Sequence, residues 1–298
     1  MIYTVTLNPA LDYAVYLRTL VPGTTNRTAR EVLSFGGKGI NVSAVLAALG
    51  EPTVALGFVA GATGEMLRSM LTEAAVGEEL IPLPAGATRI NVKIKAESET
   101  EINAAGPVID AVSLARLFAK LKKMKKGDTL VLAGSVPPSV SPDIYKTMAE
   151  IAAACGVRLV VDAERDLLLP ILHHRPFVIK PNRAELAAIV GRELLTDTDI
   201  EAAARELQAA GAENVLVSLG GDGALLLDGQ GCVRRAPAAH GKAVNTVGAG
   251  DSMLAGFLYG MAKGYDYALR MGIAAGSATA FGEKLADAAR IYAVLQTL

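Results

Sequence analysis

Six short, β-branched and mostly apolar runs punctuate the chain: "IYTVTL" (2–7), "TVALGF" (53–58), "TLVLAG" (129–134), "RLVVDA" (158–163), "PFVIKP" (176–181) and "NVLVSLG" (214–220). Their length and their apolar character on both faces predict buried strands of a parallel sheet. Between them, 39–49, 64–75, 113–126, 142–155, 183–190 and 198–210 follow a helical rhythm. The last is expected to open on Thr198-x-x-Glu201 as a capping box and to stop at Gly211. Three further helical pieces, 250–263, 265–281 and 287–297, close the chain. Strand–helix alternation of this kind predicts an α/β fold, a doubly wound, mostly parallel sheet flanked by helices.

Two regions keep a different beat. Residues 12–35 and 88–104 contain "DYAVYL", "REVLSF", "TRINVKIKA" and "TEINAA", which alternate every second residue. They predict a small antiparallel β layer inserted into a single domain spanning 1–298. A lid over a site is one reading and a plain edge extension the other; rhythm alone does not separate them.

Composition narrows the classes. Over 298 residues, 51% are hydrophobic and the net charge is −1, which leaves no basic stripe for nucleic acid or a membrane surface. The one basic run, Lys120 to Lys126, sits at a helix end, where cations suit the dipole. Cys155 and Cys232 lack the spacing of a disulfide framework or zinc site. No signal-peptide pattern or membrane-length apolar run is visible, so the expectation is a cytoplasmic protein.

The candidate chemistry lies in glycines. "NTVGAGDS" (245–252) places Gly248, Ala249 and Gly250 before Asp251, at the mouth of a helix. Bare amides and a helix dipole make an anion hole. An acid beside it can accept a proton from a hydroxyl that attacks phosphorus, or can simply cap the helix. "SLGGDG" (218–223) follows a parallel strand, where open sheets bind ligands, and also reads as a tight turn. "FGGKGIN" (35–41) adds Lys38 and Asn41 to a glycine-rich helix start. In "KPNRAEL" (180–186), Asn182 and Glu185 could steady a hydrated Mg²⁺. On local grounds a capping box is the preferred reading. No GxxxxGK[ST] is present.

In this order, "GGKGIN" and "NTVGAGDSMLAGFL" resemble the two signatures of the PfkB carbohydrate kinase family, whose fold is ribokinase-like. "TVTLNPALD", "TRINVKI" and "TEIN" resemble most the branch containing 1-phosphofructokinase and tagatose-6-phosphate kinase. The resemblance implies ATP as co-substrate, Mg²⁺, and phosphorylation of a ketohexose phosphate. D-fructose 1-phosphate is first choice, then tagatose 6-phosphate, then fructose 6-phosphate. It implies Asp251 as general base, with Gly248, Ala249 and Gly250 as anion hole. Asp12, Gly37, Lys38, Asn41 and Arg89 match sugar-phosphate contacts, Lys38 and Arg89 lying near the resident phosphate; Arg27 is a weaker candidate. Ser218, Leu219, Gly220, Gly221, Asp222, Gly223, Gly250 and Ala275 match the ATP side. Asn182 and Glu185 match the Mg²⁺ region, acting through water. The two alternating stretches match a lid that also pairs subunits, which implies a homodimer. Asn245-Thr246-Val247 replaces the acid and two threonines of many relatives, leaving a monovalent-cation requirement open. The competing class, a catalytically silent sugar-phosphate or nucleotide sensor, is disfavoured by Asp251 standing beside intact glycines.

Overall fold

Residues 2–6 form an interior strand of a ten-stranded sheet in the computed structural model, which describes residues 1–298. In chain order the strands are β1 (Ile2–Thr6), β2 (Ala10–Tyr16), β3 (Arg30–Gly36), β4 (Thr53–Val59), β5 (Gly77–Glu78), β6 (Ile81–Pro82), β7 (Arg89–Lys95), β8 (Glu99–Ile102), β9 (Thr129–Ala133), β10 (Arg158–Asp162), β11 (Val178–Ile179), β12 (Asn214–Ser218), β13 (Ala224–Leu227) and β14 (Val233–Ala236). The helices are α1 (Lys38–Ala48), α2 (Gly61–Glu73), α3 (Ala111–Leu121), α4 (Ile144–Cys155), α5 (Arg165–Leu168), α6 (Arg183–Val190), α7 (Asp197–Ala209), α8 (Ala249–Gly260), α9 (Tyr265–Ala280) and α10 (Ala288–Leu295).

The main sheet runs β14-β13-β12-β11-β10-β9-β1-β4-β5, with β6 also on β4. Its pairs are parallel except β12–β13 and β13–β14. Alternate residues of each strand feed two cores. Leu130, Leu132, Leu159 and Val161 face the core shared with α3, α4 and α7, while Val131, Ala133 and Val160 face α1, α8, α9 and α10. Burial on both sides explains why these strands read as continuous apolar runs.

Residues 10–16, 30–36, 89–95 and 99–102 form a separate four-stranded sheet, β3-β2-β7-β8. Its outer pairs are antiparallel and the central β2–β7 pair is parallel. Asp12, Ser34 and Asn91 lie opposite one another across the strands, so they share the face turned to the main sheet's C-terminal edge.

Some expectations shift. The capping box of α7 is Thr196 with Asp199, not Thr198 with Glu201: Thr196 Oγ1 accepts from Asp199 N–H at 3.2 Å, and Asp199 Oδ2 accepts from Thr196 N–H at 2.8 Å. The same motif two residues upstream captures the first free amides. The strands β13 and β14 and the turn of α5 were not legible as elements; each is four residues long. "GDG" does sit in a hairpin, between β12 and β13.

Candidate active site

Chain order reverses at β1, which has β9 on one side and β4 on the other. Open α/β sheets bind ligands in the crevice beyond the C-terminal strand ends at such a point. Here that crevice is a cavity of about 710 Å³, with only three hydrophobic residues among its 24. The C-terminal ends of β1, β9, β10 and β12 contribute Thr6, Ala133, Asp162 and Ser218; Lys180 follows β11. The small sheet adds Asp12, Arg89, Lys93 and Glu101.

Asp251 stands in the first turn of α8 and is 6% exposed. Its Oδ2 accepts a hydrogen bond from Asn41 Nδ2 at 2.8 Å, across 210 positions of chain. Burial, then the charge of Asp162, pushes its carboxyl up to about 6; Asn41, Lys180 and Lys38 pull the other way. Gly248 caps α8 in the left-handed region, with φ +77°, a conformation that favours glycine. The amides of Gly248, Gly250 and Asp251 donate to nothing within the chain. Ala249 differs from expectation: its N–H bonds to Thr246 O at 3.2 Å, so it is not a free donor. A side chain at Gly250 would meet Lys180 Nζ at 3.2 Å. Bare backbone here leaves an ammonium beside the helix mouth.

Two lysines and an aspartate form the floor. Lys38 Nζ lies 3.0 Å from Asp162 Oδ1, and Lys180 Nζ lies 3.1 Å from Asp162 Oδ2. Burial pushes the Asp162 carboxyl up, but Lys180 and Lys38 together outweigh it and hold it below the ordinary carboxylate range. Lys38, expected beside the resident sugar phosphate, is thus drawn toward Asp162 and the region of Asp251.

The other end of the cavity is built by the small sheet. Asp12 accepts from Asn91 Nδ2 at 3.0 Å and faces Lys93 Nζ at 3.4 Å. Gly36 keeps this carboxylate in place, since a Cβ there would sit 2.6 Å from Asp12 Oδ2. Gly37, with φ +121°, lets α1 start against Thr6, whose Oγ1 accepts from Ile40 N–H at 3.0 Å. Arg89 Nε and Nη1 donate to Asn8 O and Ala104 O at 3.1 and 3.2 Å, and burial lowers its pKa. Arg27 is exposed and does not line the cavity.

On the remaining wall, Ser218 lines the cavity, Leu219 is buried and Gly220–Asp222 form a 3-10 turn. A side chain at Gly223 would collide with Ala236 O at 2.1 Å, so this glycine answers to the hairpin. Asn182 and Glu185 line the cavity while forming the capping box of α6, each accepting the other's N–H at 2.8 Å. Glu185 Oε1 makes no bond within the chain. Ala275, expected at the adenine, is wholly buried where α9 meets α8; a Cβ on Gly256 would lie 2.8 Å from its own. Asn245 braces the loop before α8, donating to Glu283 O at 3.2 Å and accepting from Val247 N–H at 3.2 Å.

Asp162, Lys180 and Lys93 escaped the sequence reading. The first two end the apolar runs "RLVVD" and "FVIK". A charge at the C-terminal end of a buried parallel strand points into the ligand crevice, and that was the available signal.

Comparison with known proteins supplies independent findings. The model for "pfkB family carbohydrate kinase" matches residues 5–288. A 1-phosphofructokinase of Bacillus subtilis (strain 168) is 42% identical over 287 residues, covering 96% of this chain and 94% of the relative. A D-tagatose-1-phosphate kinase of Bacillus licheniformis is 40% identical, covering 98% and 96%. The crystal structure of phosphofructokinase-2 from Escherichia coli in complex with fructose-6-phosphate superposes with a TM-score of 0.91 at 30% identity, covering 99% and 98%. The fold is therefore ribokinase-like, as the motifs implied.

Proposed function

The chain belongs to the pfkB family of carbohydrate kinases and is an ATP-dependent sugar-phosphate kinase; we propose that its acceptor is D-fructose 1-phosphate, phosphorylated at the 6-hydroxyl to give fructose 1,6-bisphosphate. The observation that carries this reading is the pairing of Asp251 with unpartnered amides at the mouth of α8, at one end of a polar cleft whose other end holds Asp12, Arg89 and Lys93.

In this reading Asp12 and Asn41 hold sugar hydroxyls, and Asp251 takes the proton of the attacking one. The free amides and Lys180 stabilise negative charge on the transferring group. Arg89 grips the resident phosphate through its forked donors. The Ser218–Gly223 wall receives the nucleotide. No trio of His, Cys, Asp or Glu side chains converges to hold a metal. The free oxygen of Glu185 beside Asn182 fits an ion held mainly by water and nucleotide phosphates. Bound there with the nucleotide, Mg²⁺ neutralises charge on the phosphoryl group.

Steady-state assays on fructose 1-phosphate, tagatose 1-phosphate, tagatose 6-phosphate and fructose 6-phosphate test the choice. Fructose 1-phosphate is expected to give the highest kcat/KM; preference for a 6-phosphate would overturn it. The second reading is D-tagatose 1-phosphate, because a relative of nearly equal identity carries that name; it displaces tagatose 6-phosphate as runner-up. Arg89→Ala is expected to raise KM for the phosphorylated sugar about 10- to 100-fold, the worth of a charge-assisted contact. An unchanged KM would show that Arg89 holds no phosphate.

We also infer a homodimer through the small sheet. Tyr13, Leu33, Ile90 and Ile102 lie on its face away from Asp12 and are 36–57% exposed. A second copy of the same apolar face covers them. Sedimentation should find a dimer, and Leu33→Asp with Ile102→Asp should yield monomers; an unmodified chain that sediments as a monomer contradicts the inference. No helix is long and apolar enough to cross a membrane. Both cysteines are free, which fits the reducing cytoplasm proposed as its location.

A further inference from the structure

Below the mouth of α8 runs a chain of buried hydroxyls that the phosphoryl-transfer reading leaves unused. Ala286 N–H donates to Thr279 Oγ1 at 3.0 Å. Thr279 Oγ1 and Ser252 Oγ are 2.8 Å apart. Ser252 Oγ donates to Gly248 O at 2.8 Å, and Ser252 N–H reaches the same carbonyl at 2.8 Å. Ser252 is 0% and Thr279 1% exposed, so water does not compete.

The ends of this chain fix its direction. A backbone N–H can only donate and a carbonyl can only accept. Ser252 spends its single hydroxyl proton on Gly248 O, so Thr279 must donate to Ser252. The result is one ordered run from Ala286 N–H through Thr279 and Ser252 to Gly248 O. Aligned donors polarise one another in a buried setting.

What the run anchors is the softest joint of the site. Gly248 occupies the left-handed region at φ +77°, and a glycine can leave it at little cost. Holding its carbonyl from two donors sets its ψ and hence the angle at which the next free amides, Gly250 and Asp251, meet the cleft. The far end of the run lies in the segment after α9. There Leu285 Cδ2 would be 2.7 Å from a Cβ on Gly248, and Glu283 forms a two-pronged ion pair with Arg30 of β3 at 2.5 and 2.7 Å.

We propose that Thr279 and Ser252 are positioning residues for phosphoryl transfer: through their hydroxyl chain they hold the Gly248 carbonyl, and thereby the anion-binding amides, in the reactive orientation. The proposal rests on the α8 mouth being the phosphoryl site. It concerns the transition state and not sugar binding, because neither side chain reaches the cavity.

The test is Thr279→Val, which keeps the shape and breaks the run, assayed with ATP and D-fructose 1-phosphate. The expected result is a fall in kcat of about ten- to a hundredfold, the usual penalty for slightly misplaced groups, with KM for the sugar little changed. Thr279→Ser restores the rate. Should Thr279→Val not fold, Ser252→Ala carries the same test, since it strands no backbone amide. Unchanged kcat in a folded variant, or a loss that Thr279→Ser does not repair, overturns the proposal. If Asp251→Asn keeps its turnover, the reading of the site itself has failed. If Asp251→Asn collapses while Thr279→Val does not, only the positioning role is lost.

Discussion

Asp251→Asn is expected to lower kcat about 10³- to 10⁴-fold, the upper part of the range for a lost general base, while sugar-phosphate and nucleotide binding survive. The amide keeps an acceptor for Asn41 and the shape of the turn, so the loss isolates proton acceptance. The same substitution is expected to stabilise the fold. In the folded protein this carboxyl titrates near 6 because burial and Asp162 oppose its charge. It therefore binds its proton between about pH 4 and 6, where an unfolded carboxylate has already released it. That contribution to stability is lost as pH rises through the window, and at neutral pH the buried anion is a net cost. Removing it is worth up to about 3 kcal/mol. Calorimetry should find the variant's Tm raised near pH 8, with the gain shrinking toward pH 5. In the unmodified enzyme kcat/KM should fall about tenfold per unit below pH 6. Near-normal turnover in the variant would leave Asp251 only a first-turn acid that suits the dipole of α8 and pairs with Asn41.

Asp162→Ala is expected to be among the more damaging single changes to stability. The carboxylate is 2% exposed, and it is the ion-pair partner of Lys180, itself 5% exposed. Without it, Lys180 stays buried with no ion-pair partner in contact, left with Asp251 as the remaining neighbouring carboxylate. Breaking such a pair from one side costs about 3–5 kcal/mol. Urea titration at neutral pH reads that loss directly. Because the Asp162 carboxyl is held below its ordinary value, its stabilisation is complete above the unfolded value and fades as pH falls through the folded one. The gap between the two proteins should close in acid. Asp162→Asn gives a second readout: with one negative charge gone, Asp251 loses an upward push, and the acidic limb of the kcat/KM profile moves to lower pH. A loss below about 1 kcal/mol in Asp162→Ala would mean the lysines shed their protons or find water instead.

The two-sided strands and the amphipathic helices were legible because each obeys a local rhythm that packing then rewards. Gly248–Asp251 stood out as a candidate because bare backbone and an acid at a helix start suit either an anion site or a plain helix start; the structure adds that the Gly248, Gly250 and Asp251 amides are unpartnered. What the sequence hid depends on tertiary placement. Lys180 and Asp162 matter because β10 and β11 are neighbours, and nothing in "VVDA" or "VIKP" says so. Ala249 looked like part of the hole, yet its amide turns back to Thr246. Ala275 looked like a wall for the nucleotide, yet α9 spends it on close contact with α8, where glycines at 256 and 260 admit backbone against backbone. Small residues in a helix signal tight approach and do not say to what.

Asn41 lies near the beginning of the chain and Asp251 near its end, joined by one hydrogen bond. A polypeptide still emerging from the ribosome can already order the early strands, but Asp251, the proposed proton acceptor, arrives only with α8. In that reading synthesis delivers a scaffold first and reactivity last, so a product terminated before residue 251 lacks the acid and is expected to transfer no phosphate from ATP.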